Sequence, residues 1–222
     1  MTLVKSTSES SPENKENTGN QLFPVFLKLN ELHTVLIGAG NVGLEKLTAI
    51  LNNSNSAKIT VIAREVLPEV FGLTESYAGV TILQKSFEAA DLDVAEIVVA
   101  ATDDSELNRQ IRQAAKARKL LINVADKPEL CDFYLGSVVK KGDLKLGIST
   151  NGKSPTVAKR IKEVLNAALP DELDTTLQQL NELRNTLTGD FAYKVKELNR
   201  ITAMLSSGDS NEEQNTSLPK VQ

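Results

Sequence analysis

The residues able to do chemistry sit in a few short stretches. Residues 33–43 read HTVLIGAGNVG, a GxGxxG loop between a β-rich run and a helical one. Each glycine has its own reason to be there. Gly38 permits the tight turn, Gly40 lets backbone approach a pyrophosphate, and Gly43 lets helix and strand pack closely. The helix start adds unpaired N–H groups and the positive end of its dipole. A glycine loop in this strand–turn–helix setting reads as a dinucleotide site rather than a structural turn.

Three more stretches could complete such a site. The run after the first helix ends Val61-Ile62-Ala63-Arg64-Glu65. Arg64 there could meet a 2′-phosphate, and Glu65 could reach a ribose hydroxyl, so both cofactor types stay open. A later run ends Ala100-Ala101-Thr102-Asp103-Asp104. Either Asp103 or Asp104 caps the next helix, or Thr102 and Asp103 line the cofactor groove. A further run ends Asn123-Val124-Ala125-Asp126-Lys127-Pro128. Asp126 is a general base at the sheet edge or an ordinary turn aspartate before proline. Lys140, Lys141, Lys145, Lys153, Lys159 and Arg160 form a basic cluster. Such charges are usually a solvated face, but a local cationic excess could also hold a polyanion. His33 opens the first strand, at the far end from the glycine loop, and reads as structural. Cys131 reads as a small buried side chain rather than a nucleophile.

These residues need elements to position them. The β-rich runs are 33–38, 58–63, 80–84, 96–101 and 120–124, several nearly continuous in Val, Ile, Ala and Leu. Such runs suit strands covered on both faces. Helical patterns at 42–52 and 105–118 lie between them, which predicts a parallel, doubly wound α/β sheet. The pattern then changes. Runs at 132–139 and 143–149, joined by Lys140-Lys141-Gly142, predict a hairpin. Ser154-Pro155 starts a helix to about 169, with Ser as N-cap and Pro at the first position. Further helices are expected at 171–187 and 190–205. A hairpin this small is marginal alone, so pairing with its own copy in a dimer is the simplest expectation. Residues 1–21 and 206–222 are polar and read as disordered tails. The expected organisation is therefore 22–128 for the sheet domain, 129–153 for the hairpin segment and 154–205 for a helical domain.

Composition excludes several classes. The 222 residues carry 25 Lys and Arg against 29 Asp and Glu, a net charge of −4. That argues against a nucleic-acid module, which needs a basic excess for phosphate contacts. No apolar run approaches the roughly 20 residues of a membrane helix. One cysteine forbids an internal disulfide, and with one histidine it cannot build a Cys/His zinc site. With no secretory signal the compartment reads as cytoplasm.

Taken in order, the motifs resemble one family. Residues 23–29 (FPVFLKL), the glycine loop, AATDD at 100–104, NVAD at 123–126 and STNGKSP at 149–155 are similar to those of precorrin-2 dehydrogenases. These are the N-terminal modules of siroheme synthases and also occur as free-standing proteins. The resemblance covers about residues 22–169. It implies a Rossmann-type sheet, a small β dimerisation segment, a C-terminal helical domain and a homodimer. It implies NAD as cofactor, precorrin-2 as substrate and sirohydrochlorin as product, with Fe2+ insertion as a second activity in some members. By position it implies NAD contacts at Gly38, Gly40, Asn41, Val42, Gly43, Arg64, Glu65, Thr102 and Asp103, and a catalytic role for Asp126. A polycarboxylate substrate would draw on Lys140, Lys141, Lys145, Lys153, Ser154 and Arg160. The family's serine pair followed by two glycines is altered here, with Thr150 for the second serine and Asn151 for the first glycine, so no modification is carried over to Thr150. The competing reading is a non-catalytic NAD(H)-sensing Rossmann module. That reading needs the glycine loop but neither Asp126 nor the basic hairpin.

Overall fold

The computed structural model describes residues 19–171 and 173–202. Most of the expected tails, 1–18 and 206–222, lie outside that range, as does the end of the last expected helix. The chain divides into two compact units. One holds residues up to 140 together with 146–166; the other holds 141–145 with 167 onward.

The first unit is built on five parallel strands: β1 (His33–Ala39), β2 (Lys58–Val66), β3 (Val80–Gln84), β4 (Ile97–Ala100) and β5 (Leu121–Val124). Their order is β3-β2-β1-β4-β5. Chain direction across the sheet therefore reverses between β1 and β4, where ligands of such sheets gather beyond the carboxyl ends. Helices α1 (Asn41–Asn53), α2 (Pro68–Thr74) and α3 (Ser105–Ala117) connect the strands. Alternate residues of β1 feed opposite faces. Leu36 packs with Leu47, Ile50 and Leu51 of α1 and with Val70 of α2. Val35 and Ile37 pack with Ile111 and Ala115 of α3. Burial on both faces accounts for strands that read as continuous apolar runs.

The differences from expectation have local causes. β2 extends three residues past Ala63, because Ala39 pairs with Val66 after an irregularity at Gly38. The short helix α2 has no clear sequence periodicity. Its signal is Pro68 at the first helical position with Glu69 in the first turn. The hairpin strands are β6 (Ser137–Lys141) and β7 (Leu144–Ile148). Lys140 and Lys141 are thus strand residues, not turn residues. The loop is Gly142-Asp143, with Gly142 at φ +56°, the requirement of a two-residue hairpin loop. Residues 132–136 are not strand, since Asp132 bonds back to β5 instead.

α4 (Pro155–Ala168) starts as expected, with the Val157 N–H donating to Ser154 Oγ at 3.2 Å. In the second unit, α5 (Leu173–Thr186) and α6 (Phe191–Thr202) pack together. The hairpin tip joins them there. The Asp143 N–H donates to Asp174 Oδ1 at 2.8 Å, and Lys141 pairs with Asp171.

α3 ends in a left-handed cap. The Leu120 N–H donates to Ala115 O at 3.0 Å, with Lys119 at φ +59°. A side chain in that conformation costs about 1–2 kcal/mol, offset in part by glycine's extra freedom when unfolded. Lys119→Gly is expected to stabilise the protein by roughly 0.5–1 kcal/mol. The check is an upward shift of the urea unfolding midpoint at unchanged slope.

Candidate functional site

A cavity of about 720 Å³ opens at the carboxyl ends of the strands. Its wall brings together Gly38, Gly40, Asn41 and Val42 after β1, Arg64 and Glu65 at the end of β2, and Thr102 and Asp103 after β4. These are the residues singled out in the sequence, apart from Gly43. Gly43 does not line the cavity: a Cβ on it would lie 2.2 Å from Gly38 O, so its role is helix-to-strand packing. A Cβ on Gly38, at φ +105°, would lie 2.4 Å from Ala101 O. A Cβ on Gly40 would meet nothing within 4 Å. The backbone at Gly40 therefore borders open cavity beside the first N–H groups of α1. That arrangement fits the pyrophosphate of a dinucleotide.

The strand-four end resolves into separate roles. Asp104 caps α3, accepting from the Glu106 and Leu107 N–H groups at 2.9 and 3.0 Å. Thr102 is tied inward. Its hydroxyl donates to Asn108 Oδ1 at 2.8 Å, and Asn108 Nδ2 donates to Thr102 O at 2.9 Å. Asn108 is only 2% exposed and Thr102 half-buried, so this reciprocal pair is partly shielded from water and holds the loop against the cavity.

Sequence reasoning missed Lys85, Ser86, Phe87, Glu106, Leu107 and Gln110, which also line the cavity. The available signal was topological: these residues follow β3 or open α3. Lys85 Nζ pairs with Asp91 Oδ1 at 2.9 Å and Glu88 Oε2 at 3.3 Å. The hydrogen bond that Lys85 donates to Asp91 raises the Lys85 pKa against some desolvation, with Glu88 adding to the rise.

Asp126 lies outside the cavity wall, two residues beyond the end of β5. It is exposed, at φ +58°, and its carboxylate has no hydrogen-bond partner among the described residues. Next to it, the Ala125 N–H donates to Ala100 O at 2.8 Å, tying the turn to β4. His33 shares a hydrogen bond with Thr60 Oγ1 at 2.8 Å and its N–H donates to Glu96 Oε2, a structural setting. Burial raises the pKa of the Cys131 thiol, so it is a poor nucleophile.

The basic residues are distributed over both units. Lys140, Lys153, Ser154 and Arg160 belong to the first, Lys141 and Lys145 to the second. Arg160 pairs with Glu163 at 2.9 Å and Lys141 with Asp171, while Lys140 reaches Asn52 O at 3.5 Å. Lys153 is exposed. Among the described residues no three His, Cys, Asp or Glu side chains gather as a metal site, and no helix is long and apolar enough to cross a membrane.

Residues 25–137 match a family model described as "Putative NAD(P)-binding". Residues 141–168 match the model for the central part of sirohaem biosynthesis proteins. A siroheme synthase of Pseudoalteromonas atlantica is 32% identical over 171 residues, covering 77% of this chain and 36% of the relative. Siroheme synthase 1 of Cronobacter sakazakii is 35% identical over 153 residues, covering 69% and 32%. The chain thus spans about a third of the length of these relatives. Among solved structures, SirC, a precorrin-2 dehydrogenase, superposes with a TM-score of 0.64 at 26% identity, covering 81% of this chain and 89% of SirC.

Proposed function

Because this chain belongs to the precorrin-2 dehydrogenase family, we propose that it oxidises precorrin-2 to sirohydrochlorin with NAD+. The observation that carries the reading is the cavity wall. The glycine loop, the end of β2 and the loop after β4 meet there, on the sheet edge from which the Asp126 turn also projects.

When bound, NAD+ supplies the acceptor for the hydride leaving the substrate. The chain's own residues do the rest. The Gly40 backbone and the N-terminus of α1, at Asn41 and Val42, hold the pyrophosphate. Arg64 and Glu65 sit at the position of the adenosine ribose, with Glu65 to accept from its 2′-hydroxyl. Thr102, anchored by Asn108, and Asp103 close the groove on the other side of the switch point. Asp126 takes the proton released as the hydride departs. The substrate is a polycarboxylate, so in the first unit Lys140, Lys153 and Arg160 are its candidate counter-charges, with Ser154 as a hydrogen-bond donor. The working protein is a homodimer in the cytoplasm.

The test is anaerobic incubation of the purified protein with precorrin-2 and NAD+, following the tetrapyrrole spectrum. Sirohydrochlorin formation that requires NAD+ is the expected result. Fe2+ added afterwards tests for chelation, read as siroheme formed faster than in a protein-free control. NAD+ binding without turnover would sink the enzyme and leave a nucleotide-sensing module.

A further inference from the structure

β5 is an edge strand, and edge strands leave N–H and C=O groups with no neighbouring strand to bond. Here the chain returns and covers that edge itself, mostly with side chains. The Asp132 N–H donates to Ile122 O at 2.8 Å, and the Ile122 N–H donates to Asp132 Oδ2 at 3.1 Å. Two residues on, the Val124 N–H donates to Cys131 Sγ at 3.2 Å. The same thiol faces Val124 O at 3.2 Å and Lys127 O at 3.3 Å. Asn123, buried, donates from Nδ2 to Phe133 O at 2.9 Å.

The returning segment is itself anchored. Leu130 and Cys131 pack on the hydrophobic cluster of one sheet face, Phe133 on that of the other. Arg112 grips both carboxylate oxygens of Asp132, one of them at 2.7 Å. That two-pronged bond lowers the Asp132 pKa against desolvation, with the Ile122 N–H adding to the drop.

What this edge encloses is the turn of Asp126. Its φ of +58° is a conformation that an aspartate on a free turn visits only as a minority state. Something must therefore hold it. The thiol touches the residue where β5 ends and the residue directly after Asp126. We propose that Cys131 is a positioning residue for Asp126, fixing both ends of its turn and so the place of its carboxylate. This rests on the proposed role of Asp126 as the base. A shift of about 1 Å in a reacting group can cost on the order of a hundredfold in rate, so a bond at each end of the turn is enough to matter.

The test is a double-mutant cycle between Cys131→Val and Asp126→Asn, with kcat, KM and NAD+ affinity measured for each. Valine removes the bonds and adds about one methyl group; Cys131→Ala, which removes them without adding volume, is the control for crowding. Cys131→Val is expected to lower kcat at least tenfold with NAD+ affinity within twofold of wild type. Cys131→Ser, which keeps a donor and an acceptor, is expected to recover most of that loss. In the Asp126→Asn background Cys131→Val is expected to cost nothing further. Wild-type kcat in folded Cys131→Val overturns the inference, as does an equal loss with and without the Asp126 carboxylate. If Cys131→Val does not fold, Cys131→Ala, which also removes the bonds, takes its place in the cycle under the same criteria. Wild-type turnover in Asp126→Asn, or none in the wild type, instead removes the reading beneath the inference, whatever the Cys131 variants do.

Discussion

Gly40→Ala is expected to fold like the wild type and to bind NAD+ at least tenfold more weakly. Its backbone, at φ −83° and ψ −164°, is open to any residue. A Cβ there meets nothing within 4 Å. In the protein alone the substitution has no clash and no strain. The methyl group would stand in the cavity, where the pyrophosphate must approach backbone. Gly43→Ala and Gly38→Ala are expected to behave oppositely. Their Cβ atoms would meet backbone oxygens at 2.2 and 2.4 Å, and backbone cannot yield as the tip of a side chain can. At Gly38 the positive φ adds strain. Together these effects cost roughly 2–5 kcal/mol, enough to consume much of a typical domain's stability. Urea unfolding and calorimetric titration with NAD+ separate the two kinds of loss. A Gly40→Ala protein that binds NAD+ as tightly as the wild type would show that the dinucleotide does not lie against this loop.

That contrast also shows what was legible in the sequence. All three glycines were visible as one motif, because strand, turn and helix are local and each leaves a pattern of its own. Four of the sheet strands, β1, β2, β4 and β5, were legible for a related reason: burial makes them nearly continuous apolar runs, whereas β3, an edge strand with no buried residue, showed only as a short β-rich run. α2 was not, since seven residues with an internal glycine carry too few turns to establish a helical period. The hairpin turn was displaced by two residues because Lys140-Lys141 looks like a loop. The loop was decided by which position could take positive φ, and that was Gly142. The cavity was read along the chain but built across it. Lys85, Ser86 and Phe87 belong to it only because β3 lies beside β2, with Ala63 paired to Gln84. Pairing of that kind has no local signature. The edge formed by Cys131, Asp132 and Asn123 was illegible for the same reason. Its bonds span four to ten positions, and most join a side chain to backbone.

Asp126→Asn is expected to lower kcat by about a hundred- to ten-thousandfold, the usual range for losing a positioned base. Asparagine tolerates positive φ as aspartate does, so the turn keeps its shape. NAD+ affinity should stay within twofold, because Asp126 is not on the cavity wall. Asp126→Gly sharpens the argument. Glycine relieves the strain at φ +58° and should leave the protein as stable as wild type or up to about 1 kcal/mol more stable. Yet it should be at least as inactive as Asp126→Asn. A residue retained at a strained position, where glycine would fold better, is held there for its carboxylate rather than for the turn. Unfolding midpoints and single-turnover rates on the same two proteins decide it. If Asp126→Gly were both less stable and fully active, Asp126 would be a turn residue only, and the proton would leave by another route.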